Sequence, residues 1–74
     1  MKLRVELEQE DDGRWIAEVV NWPEVTGLVA YGATQWQAFR AVEALALRVI
    51  AERLELEQGG ETPFEMRSFS FEPA

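Results

Sequence analysis

The chain contains no cysteine and no histidine. Without thiols there is no disulfide framework to staple a small fold, and a structural zinc loses its usual ligands. The missing histidine also removes the commonest general acid–base residue and every Ser–His or Cys–His pair. Positive charge is scarce: 7 Lys and Arg stand against 14 Asp and Glu, a net charge of −7. Such a balance repels phosphate backbones, disfavours direct nucleic-acid binding and attracts a basic partner. No apolar run approaches the about 18 residues of a membrane span. The opening from Lys2 to Glu6 alternates with charges where a signal peptide carries an apolar block. The expectation is therefore a cytoplasmic protein. No glycine-rich phosphate loop is present, because Gly59-Gly60 follows a helix and does not open one.

What is present argues for a folded chain. Hydrophobic residues make up 47% and aromatics 11% of 74 residues, enough apolar surface for one small domain spanning 1–74. A core of that size is thin, and with no disulfide or zinc to support it a partner subunit is the remaining prop. A homo-oligomer, dimer or tetramer, is expected.

Residues 3 to 8 alternate strictly between apolar and charged, which marks a half-buried strand. Trp15 to Val20 form a second strand, and the acidic turn before it ends in Gly13. A three-residue loop, Asp11-Asp12-Gly13, places Leu7 opposite Ala17 and Val5 opposite Val19, whereas a two-residue turn would oppose Leu7 to Glu18. The longer loop also needs a left-handed residue, which Gly13 supplies. The core face is then Leu3, Val5, Leu7, Trp15, Ala17 and Val19. The outer face carries Arg4, Glu6, Glu8, Ile16, Glu18 and Val20.

Asn21 to Gly27 read as a loop around Pro23, and Leu28 to Tyr31 as a short third strand. Thr34 is a helix N-cap with Gln37 completing a capping box. The helix is expected over 35–57, stopped by Gly59-Gly60. Phe39, Val42, Leu45, Ala46, Val49 and Ile50 form its apolar side, and Trp36, Leu47 and Leu54 lie off the central line. Pro63 to Glu72 are expected to hold a fourth strand. The order β-β-β-α-β predicts an α+β two-layer sandwich. It has one helix on a mostly antiparallel four-stranded sheet, whose fourth strand returns parallel to the first. Ile16, Val20, Tyr31, Phe69 and Phe71 are candidates for the far sheet face or for an edge.

Asp11, Asp12 and Glu18 are the carboxylates to weigh for divalent-metal chemistry, but acids on a turn and an open strand face read as solvated. No catalytic, cofactor-binding or metal-ligating residue is assigned, and an enzyme is not expected. Trp22 beside Pro23 reads either as an interface anchor or, better, as a plug over the end of the core. Trp36 either packs across a dimer interface or covers the sheet edge. Oligomer contacts are expected among Ile16, Val20, Trp36, Leu47, Leu54, Phe69 and Phe71.

Three stretches carry a family resemblance. Val5 to Val19 resemble the opening hairpin of the HicB-like antitoxins. Pro23 to Thr34, with Gly27, Gly32 and the helix-starting Thr34, look like that family's loop and third strand. Ala44 to Leu54 are similar to the helix of its short stand-alone branch. The resemblance implies a partial ribonuclease H-like fold. It further implies a non-enzymatic protein that neutralises a small basic HicA-type ribonuclease, and self-association into dimers or tetramers. Taken with the acidic charge, this reading expects partner contacts on Trp22, Pro23, Glu24, Val25 and Thr26 and on the acidic outer face of Glu6, Glu8 and Glu18. The C-terminal DNA-binding module of longer members is not expected here. Thr26 stands where many members have proline, and Gln35, Trp36 and Gln37 where many have two acids. The alternative expectation is a stand-alone homo-oligomeric accessory or regulatory domain.

Overall fold

The computed structural model describes residues 2–56 and 69–74. Strand β1 (Lys2–Gln9) pairs antiparallel with β2 (Trp15–Val19), with Val5 opposite Val19 and Leu7 opposite Ala17. This is the expected register, and the turn shows its cause. Gly13 N–H donates to Glu10 C=O at 2.9 Å, Glu10 N–H to Arg14 C=O at 2.7 Å, and Gly13 has φ +90°. A left-handed glycine after a type I turn lets three residues close the hairpin without splaying its strands.

At the other end of the ladder a side chain continues the pairing. Arg4 N–H donates to Asn21 Oδ1 at 2.8 Å, and Asn21 Nδ2 donates to Lys2 C=O at 2.8 Å. The carboxamide thereby offers β1 a donor and an acceptor where the β2 backbone turns away.

Strand β3 (Val29–Gly32) lies antiparallel to β2. The helix α1 (Gln35–Leu56) follows, and β4 (Ser70–Pro73) pairs parallel to β1. The sheet order is β3-β2-β1-β4. The fold is α+β in the expected order, with a sheet that is mixed and not mostly antiparallel, since β1–β4 is a parallel pairing beside two antiparallel ones. Of the expected fourth strand, residues 63–68 lie outside the described residues, as does the Gly59-Gly60 stop.

The helix begins where Thr34 Oγ1 accepts Gln37 N–H at 3.1 Å. The return bond of the capping box is displaced by one residue, because Gln37 Oε1 accepts from Ala33 N–H, not Thr34 N–H. Gly32 is required at this junction, since a Cβ there would run into the backbone of Gln37 and Ala38. Along α1 the buried residues are Ala38, Val42, Ala46 and Ile50, one every four residues. Ala38 was not among the expected core positions, and Phe39, Leu45 and Val49 are only half-buried.

Leu3, Val5, Ala17 and Val42 are fully buried in one core cluster. Leu7 and Trp15 pack at its half-buried margin. Burying a Leu or Val side chain contributes about 1.5–3 kcal/mol, so these few residues supply much of the hydrophobic stabilisation. Phe71 lies beside Leu3 in the parallel register. Phe69 and Phe71 therefore occupy an edge, as one expectation had it, but turn toward the helix layer and pack on the core. The far-face alternative is corrected by that register.

The helix packs over β2 and β3 and barely reaches β1. It leaves an apolar trough of about 400 Å³ on the β1–β4 side, lined by Leu7, Gln35, Trp36, Phe39, Phe71 and Pro73. Pro73 also marks the end of β4. Ala74 N–H donates inward to Val5 C=O at 2.8 Å, so by strand alternation the Pro73 nitrogen lies on the outer side. The outer edge of β4 lacks a donor there.

Candidate functional site

The far face of the sheet gathers the acids. Val20 N–H bonds Arg4 C=O at 3.0 Å and Glu10 N–H bonds Arg14 C=O, which makes Glu6/Glu18 and Glu8/Ile16 hydrogen-bonded pairs of the same ladder. Their Cα atoms are about 5.5 Å apart and their side chains rise on one face. Like charges directly opposite one another destabilise a sheet. No described Lys or Arg forms an ion pair with Glu6, Glu8 or Glu18. A shallow hollow of about 290 Å³ is lined by these three glutamates with Leu7, Ile16 and Ala74.

The loop from Trp22 to Thr26 adjoins this face. Glu18 lines a second hollow, of about 250 Å³, together with Val20, Pro23, Val25 and Thr26. The structure therefore brings the two expected groups of partner contacts together through Glu18. Pro23, Glu24 and Thr26 are exposed and Val25 is half-buried. Trp22 is only 6% exposed, which is the plug reading, so it acts on this surface by supporting the loop from beneath.

The loop's backbone closes through Val25 N–H to Trp22 C=O at 3.1 Å, and Gly27 turns at φ +74°. Arg53, in the last turn of α1, fastens it. Its guanidinium lies 5.7 Å from the Trp22 ring centroid, donates to Glu24 C=O at 3.4 Å and comes within 3.6 Å of the Glu24 carboxylate. Sequence reasoning missed Arg53. The one signal, a cation in the last helical turn, points to the helix dipole and not to a loop packed beside it.

Asp12 has a perturbed titration. The Arg14 backbone N–H, donating to its Oδ1 at 3.0 Å, holds the carboxyl below its ordinary 3.8, and the Arg14 side chain at 2.8 Å adds to this. Asp12 is thus engaged in its own turn. Among the described residues no group of three or more Asp or Glu is placed to hold a metal ion.

The residues expected at an oligomer interface do not form one patch, although Trp36 and Phe71 line the same trough. Ile16 and Val20 are on the far face, and Phe69 and Phe71 are at β4. Trp36, Leu47 and Leu54 line the exposed flank of α1, with Trp36 64% exposed. Trp36 stacks on Phe39 with ring centroids 6.2 Å apart, and Arg40 lies 4.7 Å above it. No helix among the described residues is long and apolar enough to cross a membrane.

Compared with known proteins, the chain matches no family model, no curated protein and no solved structure.

Proposed function

We propose that this chain is a non-enzymatic, HicB-like antitoxin module that binds and neutralises a small basic ribonuclease of HicA type through its acidic sheet face and the adjoining loop. One observation carries the reading: Glu6 and Glu18 stand opposite each other, and no Lys or Arg among the described residues forms an ion pair with either. A sheet that keeps a repulsive pair on an open face gains from it when a basic surface arrives. The net charge of −7 adds long-range attraction for a cationic partner. The β-β-β-α-β order with a parallel fourth strand is the arrangement the family resemblance implies.

The exposed apolar flank at Trp36, Leu47 and Leu54 favours a second component of the reading, association of the chain with itself. Should no basic partner exist, a stand-alone homo-oligomeric accessory or regulatory domain is the reading that flank supports.

The test is a pull-down of tagged protein from its native lysate, eluted with a salt ramp. A small basic protein released at raised salt, whose expression arrests growth unless this chain is co-expressed, is the expected result. An eluate holding only this chain, with no growth rescue of any neighbouring basic reading frame, would overturn the antitoxin reading.

A further inference from the structure

β3 is an edge strand with β2 on its paired side. Val19 N–H donates to Leu28 C=O at 3.1 Å, and Ala17 faces Ala30 in the same register. Leu28, Ala30 and Gly32 therefore turn their backbone groups toward β2, and Val29 and Tyr31 turn theirs outward. Among the described residues none bonds the outward N–H and C=O groups of Val29 and Tyr31. Ala33, next outward along the strand, already gives its N–H to Gln37 Oε1 at 3.0 Å. The open edge is thus confined to two residues.

We propose that this edge pairs antiparallel with the same edge of a second copy, about a two-fold axis through Ala30, to form a continuous eight-stranded sheet. In that register Val29 of each copy faces Tyr31 of the other. Every outward donor and acceptor of both residues is then met, and a β-branched side chain lies against an aromatic one on the far face.

Three features single out a second copy on this edge. The opposite edge lacks a donor at Pro73 and carries Glu72. Two chains of charge −7 repel wherever carboxylates meet, and Leu28 to Gly32 contain no charged residue. The third feature is the placement of α1 over β2 and β3. With strands about 4.8 Å apart, pairing through β3 sets the two helices about 10 Å apart, the separation at which helices pack. Trp36 and Phe39 line the trough on the β1–β4 side. Helical periodicity therefore puts half-buried Ala41 and Leu45 on the flank that meets the other helix.

The inference rests on the self-association part of the functional reading but places the contact on the β3 edge and not on the Trp36, Leu47 and Leu54 flank, and one experiment separates the two. Sedimentation equilibrium is run on the wild type, Tyr31→Pro and Trp36→Glu, with amide exchange at residues 29 and 31 of the wild type. Tyr31→Pro removes an outward N–H together with the ring on which Arg14 lies at 4.9 Å, and breaks no backbone hydrogen bond inside the chain. The expected result is a wild-type dimer whose Val29 and Tyr31 amides exchange slowly and speed up on dilution. Tyr31→Pro should raise the dissociation constant at least about tenfold, for two lost hydrogen bonds per dimer, and Trp36→Glu should leave it unchanged. A wild-type monomer overturns self-association altogether. A dimer with freely exchanging Val29 and Tyr31 amides, or one that Tyr31→Pro leaves intact, overturns the β3 placement alone. Should Tyr31→Pro fail to fold, the wild-type exchange rates still decide.

Discussion

Glu6 and Glu18 face each other across the β1–β2 ladder, and among the described residues no Lys or Arg pairs with either. Removing one charge should separate stability from binding. Glu18→Gln is expected to stabilise the fold by about 0.2–1 kcal/mol in urea unfolding, and the gain should shrink at high salt as screening relieves the wild-type repulsion. The same substitution should weaken capture of the basic partner. A destabilised Glu18→Gln would mean that the two carboxylates are not in repulsive contact.

Asn21 replaces a stretch of backbone at the end of the hairpin, bonding both Lys2 and Arg4. Asn21→Ala leaves those two groups to water and should cost about 1 kcal/mol, since both bonds are solvent-accessible. Asn21→Asp keeps the acceptor for Arg4 N–H and loses the donor to Lys2. Its second carboxylate oxygen would face the Lys2 carbonyl, so a loss smaller than that of Asn21→Ala would show that the Arg4 bond outweighs that repulsion.

Gly32 passes so close to the first turn of α1 that a Cβ has no room beside Gln37 and Ala38. Gly32→Ala must shift that turn and is expected to destabilise by about 1–3 kcal/mol. Its φ is not left-handed, so the loss arises from crowding rather than from backbone strain. A neutral Gly32→Ala in thermal unfolding would show that the helix start yields at no cost.

Asp12 has a lowered pKa in the folded chain, first through the Arg14 N–H and then through its side chain. A carboxyl depressed on folding stabilises above its unfolded value near 3.8, and that contribution is lost as pH falls through the folded value. Urea unfolding between pH 2 and 6 should show wild type above Asp12→Asn at the upper end, with the gap closing on acidification. A gap that persists at pH 2 would place the stabilisation elsewhere.

The hairpin was fully legible because a one-residue slip would have put Glu18 opposite Leu7, and Gly13 supplied the only turn that avoids it. Thr34 and Gln37 announced the helix for the same local reason. Long-range placement was less legible. Phe71 faces the core because β4 pairs with Leu3 in register, a choice that alternation within 64–71 cannot make. Ala38 is not legible as a core position because a methyl group adds little to an apolar pattern, although close helix–sheet contact favours a small residue there. In the site, the acidic pair followed from the register alone. The burial of Trp22 and its fastening by Arg53 depend on helix and loop meeting 29 residues apart, which no local spacing encodes.

Pro73 has a consequence for valency. A strand edge with all its donors recruits further strands without limit, and two such edges on one sheet allow head-to-tail growth into fibres. With the β4 edge missing a donor at Pro73, β3 is the better-equipped edge among the described residues. Any pairing through that edge uses it up in one symmetric step, and assembly by this route stops at two copies.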